Sequence, residues 1–218
     1  LQANRIISSS FRLIALFSLP AGVGLSVLAQ PILQLLYPAV PDTAAAAAYH
    51  LQILGAAAVF VCLMILTNAI LQACGRVYVP IVTALIGGAV KISTTYTLCG
   101  NPVFGIKGAP ISTTACYAVI AVLNLCVLAA VLGKSRPRYL PLLCKPALAA
   151  ALMGGCAHFV FRFLHTAAGL SPQWAVLAAI VLAASFYAFL ALLLRMVTRE
   201  DLALIPKGEK IAKILHIR

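Results

Sequence analysis

Six stretches of this chain, each about 20 residues or longer, are almost continuously apolar, and only short segments of Pro, Gly and charge separate them. A bilayer crossing takes about 20 residues at the 1.5 Å rise of an α-helix. In hydrocarbon, only helices and closed barrels satisfy every backbone N–H and C=O. Barrel strands alternate apolar and polar residues over about ten positions, and these runs do not alternate. The fold class that follows is all-α: a polytopic transmembrane helix bundle of six spans. The runs extend from Leu13 to Leu36, Ala44 to Ala73, Pro80 to about Gly100, Gly108 to Leu132, Leu142 to Leu164 and Trp174 to Val197. Pro80 suits the first turn of its helix, where the missing N–H is not needed. Pro20, Pro31 and Pro110 are expected to kink their helices.

Composition removes the alternatives. Of 218 residues, 63% are hydrophobic and 9% charged. A soluble domain carries about 25% charged residues, and a disordered chain needs low hydrophobicity. The loops between runs leave no room for a separate soluble domain. The seven cysteines form no C-x-x-C pair and mostly lie inside apolar runs. They read as small hydrophobes rather than as a disulfide or zinc framework.

A formal charge of +12 would suggest nucleic-acid affinity in a soluble protein. Here the basic residues mark one side of a membrane, and no nucleic-acid partner is expected. With a cytoplasmic N-terminus, the inner segments hold Arg5 and Arg12; Arg76; Lys134, Arg136, Arg138 and Lys145; and six residues from Arg195 to Arg218. Only Lys107 and Arg162 fall outside, and Lys91 lies within a span. The excess of basic residues on inner loops therefore places both termini in the cytoplasm. Tyr37, Tyr49, Tyr78, Tyr139 and Trp174 fall near helix ends, where amphipathic rings prefer the interface. The first dozen residues read as interfacial, and the tail, with Leu202, Ile205, Ile211, Ile214 and Leu215 among lysines, reads as an amphipathic helix on an anionic leaflet. The chain opens on Leu1, and its first apolar run is too long for a signal-peptide core, so it is expected to be the C-terminal portion of a longer protein.

Lys91 is the clearest case of an ionisable residue near the middle of a span. It stands about nine residues, roughly 13 Å, from the outer end, further than a lysine stem snorkels comfortably. At i, i+3 and i+4 spacing, Gly87, Gly88, Lys91, Thr94 and Thr95 share one helical face. Such a small, polar face either lines a wet cavity or gives the lysine a structural partner elsewhere. Arg162, flanked by His158 and His165, is either a contact for an anionic headgroup, whose phosphate a guanidinium grips bidentately, or an arginine reaching the outer interface. No carboxylate or cysteine cluster joins the histidines, so no metal site is read.

Asn68 with Gln72, and Thr113, Tyr117 and Asn124, are polar groups at helical spacing, suited to hydrogen bonds between helices or to a cavity wall. The series Ala147, Ala151 and Gly155 reads as a close helix–helix contact. The acidic residues, Asp42, Glu200, Asp201 and Glu209, all lie outside the spans. A carboxylate proton relay, paired-carboxylate catalysis and an acidic cation site are thereby excluded from this segment. There is no G-x-S-x-G, Walker loop or H-E-x-x-H, so neither an enzyme nor a cofactor is expected here.

Three passages carry a family resemblance. The stretch RLIALFSLPAGVGLSVLAQPILQLLYP resembles the ninth helix of the SpoVB/MurJ-type lipid-linked oligosaccharide flippases, of the superfamily that also holds the multidrug and toxin exporters. ILQACGRVYVPIVTALIGGAVKISTTYTL is similar to that family's tenth-to-eleventh helix passage, and NPVFGIKGAPISTTACYAVIAVLN to the outer loop entering its twelfth. The likeness covers nearly the whole chain and is greatest to the stage V sporulation protein B branch. It implies the C-terminal part of a MATE-like fourteen-helix transporter of two lobes. Residues 1–140 would be four helices of the second lobe, 141–198 two additional helices, and 199–218 the basic tail. The partners it implies are a polyprenyl-pyrophosphate-linked sugar, membrane lipids and the N-terminal lobe of the same protein. A basic cavity would take the headgroup, and a groove by the last two helices the polyprenyl tail. The residues expected at the substrate are Lys91, Thr94, Thr95, Gly88, Asn124 and Arg162. The function expected is outward movement of a sugar lipid, a peptidoglycan precursor, across the bacterial cytoplasmic membrane. Two alternatives stay open: a small-molecule exporter of the same superfamily, or a membrane enzyme of envelope assembly whose site lies upstream.

Overall fold

The computed structural model describes residues 2–133, 139–166, 171–194 and 196, and all regular structure among them is helical. Seven α-helices follow one another: α1 (Gln2–Val27), α2 (Ala29–Leu36), α3 (Pro41–Ala73), α4 (Tyr78–Cys99), α5 (Gly108–Leu132), α6 (Tyr139–Thr166) and α7 (Pro172–Leu193). A 3-10 turn, Gly105–Lys107, leads into α5. Six segments are long and apolar enough to cross a membrane, as the sequence implies. The basic tail, the 134–138 loop and Val197 lie outside the described residues.

The first apolar run departs from expectation in two ways. Its helix begins at Gln2 rather than near Leu13, and Ile7 and Phe11 are buried against neighbouring helices. The run also breaks at Leu28 into α1 and α2. Pro31 accounts for the break, since it cannot donate to the carbonyl of Val27 and its ring crowds that turn. Pro20 acts differently: α1 continues through it. Pro110 kinks nothing, because α5 starts at Gly108 and the proline occupies its first turn, where a missing N–H costs no bond. Pro80 likewise falls in the first turn of α4.

The α3–α4 connection is short because α3 ends in a Schellman cap. Gly75 adopts φ 77°, while the Arg76 N–H donates to the Leu71 carbonyl and the Gly75 N–H to that of Gln72, both at 2.9 Å. Only a residue tolerant of positive φ closes a helix this way.

The long helices pack as a row in the order α4, α5, α3, α1, α6, α7, with α2 bridging α3 and α7. Each inner member has two principal neighbours, so much of every span stays uncovered. Two apolar clusters hold the row together. One joins Ile7 and Phe11 of α1 to Leu63, Leu66 and Leu71 of α3 and Ala121 and Leu128 of α5. The other joins Leu16, Leu19 and Val23 of α1 to Ala149, Ala150, Met153 and Ala157 of α6 and Ala183 and Tyr187 of α7. Helix α1 passes from the first cluster to the second about halfway along its length.

Glycines set the closest crossings. A Cβ on Gly22 of α1 would stand 2.7 Å from the Gly55 carbonyl oxygen of α3, and one on Gly55 would stand 2.8 Å from that of Gly22. On α6, a Cβ on Gly154 would meet Val23 at 2.6 Å. The series Ala147, Ala151, Gly155 does not make the contact expected of it: Ala151 and Gly155 are exposed, and nothing lies within 4 Å of a Cβ at Gly155. The packed stripe runs through Pro146, Ala149, Ala150, Met153, Gly154 and Ala157, one position away.

Candidate functional site

Helix α4 closes one end of the row and packs chiefly against α5, so its remaining surface is open. Three positions at helical spacing, Pro80, Thr83 and Gly87, are its buried ones. Gly87 is pressed against the Ile120 side chain of α5 and lies 3.4 Å, measured from a Cβ built there, from the Cys116 carbonyl oxygen. Gly88, its neighbour, faces open space. The two glycines thus serve different surfaces, one a seam and the other a free wall.

Lys91 stands one turn beyond Gly87 and Gly88 and is exposed. Among the described residues its ammonium has no hydrogen-bond or ion-pair partner. The polar groups beside it are hydroxyls already turned to their own backbone: Thr94 Oγ1 donates to the Val90 carbonyl at 2.7 Å and Ser93 Oγ to that of Ala89 at 2.9 Å. Such back-bonding satisfies a hydroxyl in apolar surroundings and leaves its remaining lone pair facing outward. Thr95 Oγ1 donates across to Ser112 Oγ of α5 at 2.8 Å, and Ser112 Oγ to the Ala109 carbonyl at 2.9 Å. The exposed surface of α4 therefore changes character along its length. Its first half presents Ile81, Val82, Leu85 and Ile86. Its second half presents Lys91, Ser93 and Thr97 beside the exposed Ile92 and Tyr96.

Gly88, Lys91, Thr94 and Thr95 are thus brought together on one stretch of α4. Asn124 is not among them. It is fully buried where α3, α4 and α5 meet, at the level of Thr83, about 12 Å down α4 from Lys91 by helical rise. Its amide is fully engaged there: Thr83 Oγ1 donates to Oδ1 at 2.9 Å, while Nδ2 donates to Asn68 Oδ1 at 2.7 Å and to Thr67 Oγ1 at 3.2 Å. This cluster pins three helices, with Asn124, Thr83 and Thr67 buried and Asn68 half-buried at its edge. Arg162 is exposed on α6, which packs against α1 and α7 rather than α4, so it too is remote from Lys91. Near it, His165 stacks on Phe161 with ring centroids 5.9 Å apart.

A further feature is one that periodicity and spacing do not mark, although the resemblance implies a groove by the last two helices. Between α1 and α2 on one side and α6 and α7 on the other lies a groove of about 770 Å³, walled almost wholly by apolar side chains. Its width comes from small residues: Ala21 and Gly24 of α1, Ala157 of α6, and Ala183, Ala184, Ala188 and Ala191 of α7. The alanines repeat every three or four positions in the sequence, which is the one signal that spacing offers. Alanine is common in any apolar helix, so the signal named no site.

At the end carrying the α2–α3 connection, Lys107 lies over the Tyr49 ring, 5.6 Å from its centroid. That contact ties the loop before α5 to the first turns of α3.

No family model matches the chain, and no solved structure matches it. It is 28% identical over 215 residues to a protein of Bacillus subtilis (strain 168) named "Uncharacterized membrane protein YabM". The match takes in 97% of this chain and 39% of that relative, so the chain spans about two fifths of the relative's length. The likeness and the six apolar helices agree that this is a multi-pass membrane protein.

Proposed function

We propose that the chain is the C-terminal part of a SpoVB/MurJ-type flippase that moves a polyprenyl-pyrophosphate-linked sugar, a peptidoglycan precursor, outward across the bacterial cytoplasmic membrane. The observation that carries the proposal is the open, unpartnered ammonium of Lys91 within an apolar span. A charge at that depth costs several kcal/mol unless water or a counter-ion meets it. A water-filled passage along α4 supplies the water, and a passing pyrophosphate supplies the counter-ion. The bare backbone at Gly88 leaves the wall unobstructed, and the outward lone pair of the Thr94 hydroxyl can accept from a sugar hydroxyl, while Thr95 fixes this stretch of α4 to Ser112 of α5.

The apolar groove supports the same reading from the other end of the molecule. A lipid-linked sugar needs two environments, a wet one for its headgroup and a dry one for its tail. Lys91 and the groove lie in different halves of the row, one at α4 and the other beside α6 and α7, as a substrate spanning two environments requires. In this reading Asn124 fixes the angle of α4 against α3 and α5, and Arg162 contacts headgroups at the outer surface. The 1–140 segment belongs to the second transporter lobe, both termini are cytoplasmic, and alternating access proceeds by rocking of the lobes. No bond is broken.

The test is reconstitution of the full-length protein in vesicles with a fluorescent polyprenyl-pyrophosphate sugar, scored by accessibility of the probe from one face. Lys91→Ala is expected to abolish movement while leaving expression and insertion intact, and Lys91→Arg to retain part of it. Undiminished movement with Lys91→Ala overturns the proposal. Movement of a small organic cation in place of the lipid favours the exporter reading.

A further inference from the structure

Tyr187 is the polar side chain in the wall of the groove that bridges its two sides. It rises from α7, and its hydroxyl donates to the backbone carbonyl of Leu16 in α1 at 2.9 Å. In an uninterrupted α-helix that carbonyl accepts the N–H four residues on. Here the fourth residue on is Pro20, which has no N–H. The Tyr187 hydroxyl thus takes the acceptor that Pro20 leaves open.

Two further facts give this bond a mechanical meaning. Leu16 lies where α1 leaves one apolar cluster for the other: Ile7, Phe11 and Ile14 pack with α3 and α5, while Leu16, Leu19 and Val23 pack with α6 and α7. The helix therefore lacks a backbone bond at the join between its two packing partners. In addition, α7 touches α1 little and is tied to it mainly through α6 and α2, with the groove between them. A single side chain closes that gap.

We propose that Tyr187 is a latch on the groove and that α1 bends at Leu16–Pro20 when the latch releases, letting α6 and α7 swing away from α3 and α5. The bond holds the groove narrow. Its loss leaves a part-buried carbonyl unpaired at the proline and removes the side-chain tie from α7 to α1 there, which favours a bent helix. The latch concerns the width of the groove whatever chain occupies it, so it stands or falls separately from the flippase reading.

The test uses the full-length protein in nanodiscs, with native cysteines replaced and spin labels placed at Ile6 on α1 and Leu193 on α7, both exposed. Distance distributions are compared for the parent, Tyr187→Phe, Pro20→Ala and the double variant. Tyr187→Phe is expected to add a second population at longer distance. Pro20→Ala restores the missing N–H to Leu16, so adding Tyr187→Phe to it is expected to shift the distribution much less. An unchanged distribution in Tyr187→Phe overturns the latch, as does an equal shift with and without Pro20. The single variant decides the question by itself if Pro20→Ala fails to insert.

Discussion

Lys91 and Asn124 are both polar residues inside apolar helices; the sequence singles out Lys91 by its charge and leaves Asn124 between an interhelical bond and a cavity wall. Their surroundings separate them. Asn124 has its amide oxygen and nitrogen matched by Thr83, Asn68 and Thr67 across three helices, so removing it strands those partners. Asn124→Ala is expected to destabilise the protein by about 1–3 kcal/mol, read as a lower melting temperature in detergent, with transport falling only as folded protein falls. Lys91 has no such partners to strand. Lys91→Ala is expected to leave the melting temperature unchanged or raised, and to act on transport alone. A stability loss for Lys91→Ala matching that of Asn124→Ala would mark the lysine as structural. Position across a helix interface separates their roles, and a single helix's periodicity cannot supply the location of its neighbours. For that reason the depth of Lys91 was legible in the sequence, whereas the remoteness of Asn124 and Arg162 from it was not.

At the scale of helices, span number and most span ends follow from apolar length and from Pro and Gly punctuation. The Schellman cap at Gly75 and the first-turn Pro80 are local chemistry and need no tertiary knowledge, whereas Pro110, expected to kink its helix, falls in the first turn of α5 and kinks nothing. Helix faces are a different matter. The α6 contact was misplaced by one position because Ala147, Ala151, Gly155 and the packed Ala150, Gly154 and Ala157 are equally small. In hydrocarbon, both lipid-facing and protein-facing surfaces are apolar, so the contrast that reveals a soluble helix's buried stripe is weak. Glycines give a sharp test of the observed faces. Gly22→Ala places a methyl against the Gly55 carbonyl and is expected to destabilise by about 1–3 kcal/mol through overpacking. Gly155→Ala meets nothing and is expected to be neutral or stabilising by up to about 1 kcal/mol, because alanine is the better helix former. Thermal unfolding of the two variants checks both, and equal effects would contradict the observed register.

For the molecule as a whole, a row of helices whose inner members have two principal neighbours each leaves wide apolar flanks on both sides. If the chain is one part of a two-lobed transporter, lipid covers one flank and the other lobe the second. The alternating direction of the helices puts the α3–α4 turn, with exposed Cys74, at one end, and the segment from Asn101 to Lys107 at the other. In sealed, right-side-out vesicles, a membrane-impermeant thiol reagent is expected to reach Val103→Cys directly and Cys74 only after permeabilisation, with the remaining cysteines replaced. The reverse pattern would invert the assigned orientation. The row order itself was not legible in the sequence, because α1 lies next to α6 through contacts more than a hundred residues apart, and no local pattern encodes them.

For position 91 to serve a transporter it must meet both water and a passing anion. The most direct test is Gly88→Cys, one turn before Lys91 and facing open space, in the otherwise cysteine-free full-length protein with Lys91 kept, reacted with an impermeant thiol reagent in vesicles with and without a polyprenyl-pyrophosphate sugar lipid. Ready labelling is predicted, slowed by the pyrophosphate lipid and not by a neutral polyprenol. A thiol that fails to react, or reacts at the same rate whichever lipid is present, would contradict a headgroup passage along α4.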